Sequence, residues 1–174
     1  CPDARFLNVD LSEQQIAECR DPRIQALQAS ASQVRREELA ADAEGLMLMM
    51  RSVLHYFGCE GTRRLLRHLR AQMRSGEFLI HQSACFWLGP YRRCINLLYQ
   101  RMETGKWYPL VGELEFLLDR AGWKVVRVAQ APPLMLDSPS LAQRYHLTDE
   151  AMLGIRDELL SEFGPLSGVF RPEE

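Results

Sequence analysis

Short apolar runs alternate with stretches of helical period along this chain. Arg5-Phe6-Leu7-Asn8-Val9 reads as a compact strand that ends at Asp10. Ser12-Glu13-Gln14-Gln15 has capping-box spacing, in which the first and fourth residues satisfy each other's backbone N–H groups, and it opens a short helix containing Ile16 and Cys19. Asp21-Pro22 closes that helix, Ile24 to Gln28 predicts a second strand, and Arg35 to Asp42 a short helix. Gly45 to Met50 is continuously apolar, which predicts a strand buried on both faces. From Glu60 to Arg74 the period is that of an amphipathic helix, with Leu65, Leu66, Leu69 and Met73 on one face and Arg63, Arg67, Arg70 and Arg74 on the other.

Ser75-Gly76 ends this helix, and Phe78-Leu79-Ile80 predicts the next strand. A helix over Tyr91 to Arg101 follows, then one from Leu110 to Ala121 stopped by Gly122, then a strand over Lys124 to Val128. Pro132-Pro133 breaks the pattern, and two further helical stretches follow, the clearer being Thr148 to Phe163. Strands that alternate with helices predict an α/β fold, a largely parallel sheet covered by helices on both faces. The whole of 1–174 reads as one domain, with a helical insertion over 130–165 that would serve as a lid or as a homodimer contact.

Composition narrows the function classes. At 174 residues the chain can bury about two thirds of its unfolded surface. Its 47% hydrophobic and 25% charged content is that of a soluble globular protein. No apolar run is long enough to span a bilayer and the start lacks signal architecture, so no membrane association and a cytoplasmic location are expected. A net charge of −2 argues against a nucleic-acid partner. The arginine-rich balance, in which Lys106 and Lys124 are the only lysines, is read as composition without functional weight. Cys1, Cys19, Cys59, Cys85 and Cys94 form no C-x-x-C and are odd in number, so free, buried thiols are expected and no metal site.

Candidate chemistry begins at Phe6-Leu7-Asn8-Val9-Asp10-Leu11-Ser12. A strand ending in an acid before a capped helix is how a doubly wound fold presents a carboxylate to a ribose, and equally how an aspartate caps a helix. The order of later segments bears on that choice. Asn8 to Ala17 resembles the second strand and helix of class I S-adenosylmethionine-dependent methyltransferases, and Gln25 to Ala31 the next strand and its turn. Leu46 to Met50 followed by Arg51-Ser52-Val53-Leu54-His55-Tyr56-Phe57 is similar to the family's fourth strand and loop. Leu65 to Phe78 resembles its following helix and strand, and Glu113 to Val128, with Leu117-Leu118 and Ala121-Gly122-Trp123, the unit near its end.

This resemblance implies a Rossmann-like, doubly wound fold and S-adenosylmethionine as cofactor. Asp10 would hold the ribose, Leu11 would lie against the adenine, and Ser30 and Ala31 would flank it, with Ser30 where many members carry an aspartate. Arg51 and Ser52 would border the methionine end. The family's glycine-rich loop lies about 20 residues before the ribose-binding acid, whereas nine residues precede Asp10 here. The sheet is therefore expected to be incomplete at both ends, lacking the first strand with its loop and the last strand after Glu174.

Methyl transfer from a sulfonium needs alignment, exclusion of water and, for a hydroxyl or ammonium acceptor, a general base. His55 is the first candidate base and His81 the second, each against the alternative of a hydrogen-bonded structural histidine. His68 and His146 are expected at the surface. Phe86, Trp87, Tyr91, Tyr99, Trp107 and Tyr108 are dense in one stretch and read either as a pocket for a small aromatic or apolar acceptor or as core. Two other function classes compete: a non-catalytic methyltransferase-like module serving assembly, and a nucleotide-binding regulatory domain.

Overall fold

Each predicted strand–helix transition up to Gln82 is present in the computed structural model, which describes residues 4–41, 44–131 and 137–164. The architecture is mixed α/β, with seven α-helices and two short parallel two-stranded sheets among the described residues. The chain divides into two units, Cys1–Met49 with Arg64–Ile80, and Met50–Arg63 with His81–Glu174. No helix among the described residues is long and apolar enough to cross a membrane.

The first unit is built around β1 (Phe6–Asp10) and β2 (Ile24–Gln28), which run parallel with Phe6 opposite Ile24 and Asp10 opposite Gln28. Parallel neighbours need a crossover of about a dozen residues, and α1 (Glu13–Glu18) supplies it. Its cap is Ser12, whose hydroxyl accepts the Gln15 N–H at 3.3 Å. The apolar face of α3 (Gly58–Gln72) closes the unit's core: Leu65, Leu66 and Leu69, with Met73 just beyond, are buried together with Val34, Leu39 and Ala40. Gly76 ends this stretch with φ +86°, the left-handed region a side chain resists. His68, expected at the surface, instead contacts the Val34 carbonyl at 2.8 Å through Nε2.

A polar clamp holds the same unit. α2 (Arg36–Leu39) carries Arg36, whose guanidinium bonds both carboxylate oxygens of Glu77 at 2.7 and 2.8 Å and the Gln72 carbonyl at 2.9 Å. Glu77 also accepts the backbone N–H groups of Leu46 and Arg74. This donor set, led by Arg36, holds its carboxyl down at about 2.

Two expectations differ from what is observed. β3 (Met47–Arg51) pairs with β4 (Phe78–Gln82), but it is not buried on both faces. Met49 is 75% exposed and Phe78 57%, with Met47 and Ile80 also exposed, so the continuous apolar run is one covered face and one bare one. The run's composition could not reveal this, because burial depends on what lies over each face. Residues 124–128 form no strand, and Val125, Val126 and Val128 are exposed. A β-rich sequence becomes a strand only beside a hydrogen-bonding partner, and among the described residues none pairs with it. Pro132 and Pro133 lie outside the described residues.

The second unit is mainly helical. α4 (Gly89–Arg101), α6 (Ser138–Tyr145) and α7 (Asp149–Phe163) enclose a core that includes Cys94, Ile95, Leu98, Tyr99, Tyr108, Leu141, Met152, Ile155 and Leu159. α5 (Val111–Arg120) buries Val111, Leu114, Leu117 and Leu118 and ends at Gly122, φ +85°. Arg101 on α4 grips Glu158 on α7 through two bonds from Nε at 2.8 and 3.0 Å, an exposed pair of small energetic weight. Of the cysteines described, Cys94 is buried, Cys19 and Cys85 half-buried and Cys59 exposed, all as free thiols.

Candidate functional site

The first unit brings Asp10, Leu11, Ser30 and Ala31 to the carboxyl ends of β1 and β2. Oδ1 of Asp10 accepts the Ser12 N–H at 2.8 Å, and Oδ2 has no protein partner among the described residues. The helix cap is Ser12, and Asp10 bonds the N–H of that cap residue, a turn that leads the chain into α1. The Ala29 N–H bonds the Asp10 carbonyl at 3.1 Å, and the Gln28 amide bonds the Leu11 carbonyl at 3.3 Å, which joins the two strand ends. Leu11 is 65% exposed, an apolar surface beside the acid. The Ser30 hydroxyl is paired with that of Ser32 at 2.8 Å, in a turn that Gln33 and Val34 close by bonding back to the Ser30 carbonyl.

Arg51 and Ser52 belong to the second unit. Ser52 holds φ +54°, a left-handed conformation that costs a non-glycine residue about 1–2 kcal/mol, and its N–H bonds the Gln82 carbonyl at 2.9 Å. A 3-10 turn over Leu54–Phe57 follows, anchored by the buried Thr62 hydroxyl on the Leu54 carbonyl. It presents His55 and Tyr56.

The loop between α4 and α5 meets this turn. The Trp107 N–H bonds the His55 carbonyl at 3.0 Å, and Asn96 clamps Tyr108 from both sides of its backbone at 2.8 Å. The His55 ring consequently stacks on Tyr108, with centroids 5.2 Å apart and planes inclined by 16°, and lies 4.2 Å from the Tyr56 ring. Burial first, then the charges of Lys106 and Arg144, lower the His55 imidazole to about 4, so it is neutral at physiological pH. Neither ring nitrogen bonds another described residue. Burial also lowers His81, whose Nδ1 faces the Ser83 hydroxyl at 3.5 Å.

The sequence-predicted acceptor residues divide. Tyr108 stacks on His55 from within the helical core, Trp107 meets the His55 carbonyl through its backbone N–H alone, and Phe86 bridges to Leu110 and packs on the same core. Trp87 is 75% exposed, and Tyr91 sits half-buried near the start of α4; no ring contact brings either to the cluster. What sequence reasoning missed is Lys106. Its ammonium lies 4.8, 4.9 and 5.0 Å from the ring centroids of Tyr56, Tyr99 and Tyr145, and it donates to the Tyr145 hydroxyl. Tyr99 packs in turn on Tyr108, 4.9 Å away. Arg144 closes the group, donating to the Tyr56 hydroxyl at 3.4 Å. Burial lowers the lysine's pKa and raises those of Tyr99 and Tyr108. The one available signal was a lysine beside aromatic residues in a chain whose cations are otherwise nearly all arginine.

No family model matches this chain, and no curated protein does.

Proposed function

We propose that this chain carries an S-adenosylmethionine-dependent methyltransferase fold of the Rossmann-like, doubly wound type and transfers methyl to a small molecule. The observation that carries the reading is Asp10: a carboxylate at the end of a parallel strand, one oxygen fixed by Ser12 and the other open, with the bare apolar surface of Leu11 beside it. Those features suit a ribose diol and an adenine face. When bound, S-adenosylmethionine would supply an already activated methyl group.

The protein's own share is positioning and proton handling. His55, neutral and without a partner on either ring nitrogen among the described residues, would accept the acceptor's proton. Half-buried Trp107 would supply a flat surface for the acceptor, while Tyr108, buried in the helical core, backs the His55 ring. A second reading, an assembly module without catalysis, is favoured by the bare apolar face formed by Met47, Met49, Phe78 and Ile80. Calorimetric titration of S-adenosylhomocysteine into the protein and into Asp10→Ala separates the two. Micromolar binding that the substitution abolishes supports the enzyme; no binding by either protein sinks it and leaves the module.

A further inference from the structure

Two cations sit together in the second unit without an anion. Half-buried Lys106 and exposed Arg144 form no ion pair with any described carboxylate, whereas half-buried Arg92 pairs with Glu113. Each instead contacts tyrosine, Lys106 on the rings of Tyr56, Tyr99 and Tyr145, and Arg144 on the Tyr56 hydroxyl and the Tyr145 ring 6.0 Å away. Lys106 is half-buried and Arg144 exposed; their like charges repel across the tyrosine cluster, and neutral rings offset that only in part. An anionic ligand would complete such an arrangement. Lys106 and Trp107 also line an open groove of about 450 Å³ with Arg93, Asn96 and Leu97; Arg144, Tyr56 and Tyr145 are not in its lining, so Lys106 is the residue the groove and the tyrosine cluster share.

We propose that Lys106 and Arg144 form an oxyanion-binding site and that its ligand is an aromatic ring bearing a carboxylate or a phosphate. That this ligand is the methyl acceptor rests on the methyltransferase reading; the anion site itself does not. The two cations would take the charged oxygens, the Tyr56 and Tyr145 hydroxyls would donate to what remains, and Trp107 would stack on the ring. Anion binding also acts on the neighbouring histidine. The positive charges that help suppress protonation of His55 would be offset, so the imidazole becomes more basic when ligand is present. The titratable groups facing that ring are Lys106, Arg144, Tyr56 and Tyr108.

The test uses benzoate, phenyl phosphate and neutral benzamide as probes of the full chain, with tryptophan fluorescence as the binding signal. Lys106→Met keeps the aliphatic stem, and Arg144→Gln alters an exposed residue, so at least one variant keeps the fold. Benzoate or phenyl phosphate should bind saturably and benzamide at least about tenfold more weakly, and each substitution should weaken the anions by about tenfold, the scale of one charge-assisted bond. The tighter of the two anions identifies the group. In the wild-type protein the His55 ring protons, followed by NMR, should titrate at higher pH with the anion present. Equal binding of benzamide, anion binding unchanged in both variants, or an unmoved His55 midpoint at saturating anion would each overturn the proposal. Because no readout involves cofactor, failure here leaves the S-adenosylhomocysteine titration intact, and the reverse also holds.

Discussion

The two units solve the stability problem differently. The first, with Leu65, Leu66 and Leu69 as its apolar centre, leaves one face of β3 and β4 bare and relies on a buried ion pair, Arg36–Glu77, whose side chains are 13% and 9% exposed. The second packs three helices, α4, α6 and α7, around a continuous apolar core and keeps its Arg101–Glu158 pair at the surface. All five tyrosines and all three tryptophans lie in the second unit. The comparison teaches where chemistry can be hosted. The first unit ties Arg36 to Glu77 and ends a strand in the open carboxylate of Asp10, whereas the second sets the cation Lys106 among rings.

The contrast can be broken most forcefully at Glu77. Glu77→Ala strands the Arg36 charge in a buried place and should cost about 3–5 kcal/mol in urea denaturation followed by far-UV dichroism. A loss below 1 kcal/mol would mean the clamp is ornamental. Leu98→Ala tests the other unit, removing a side chain 4% exposed; about 3 kcal/mol should be lost, visible in the near-UV signal that only this unit's tyrosines and tryptophans produce.

Acid sharpens the comparison, because the units fail in different windows. His55 has a native pKa near 4 against an ordinary 6.5, so between those values the unfolded chain binds more protons. Its contribution, on the order of 2 kcal/mol, is complete above pH 6.5 and lost as pH falls towards 4. Glu77, near 2 against 4.5, contributes fully above 4.5 and loses that contribution as pH falls towards 2. Stability measured against pH should therefore decline in two steps, and His55→Phe should remove the upper one. A single step below pH 4.5 in the unsubstituted protein would contradict the burial assigned to His55. The smallest effect is expected at the bare sheet face, where Phe78→Ser should change stability by no more than about 0.5 kcal/mol. A loss above 2 kcal/mol would show that the face is covered in solution.

The elements around Asp10 were legible in the sequence almost to the residue. β1, the Ser12 cap, α1 and β2 each carry their own start and stop signals, and these act between neighbours along the chain. The amphipathic face of α3 was legible for the same reason, since its period names the buried side. The segment Lys124 to Val128 carries the same strand-like residues, yet it forms no strand, because a strand's backbone groups must be satisfied by a partner elsewhere. The aromatic cluster was half legible: density predicted Tyr99 and Tyr108 but also Trp87, Tyr91 and Trp107, which the ring contacts do not include.

By itself, then, the sequence determined the order of elements, their local limits and the placement of an acid at the end of a strand, all of which depend on interactions within a few residues. Only the tertiary structure decided that one face of β3 is bare, that His68 is tied to Val34, and that Tyr56, Tyr99, Lys106 and Tyr145 meet. These depend on surfaces and charges brought together from distant parts of the chain, and no local pattern records the burial and electrostatics that result.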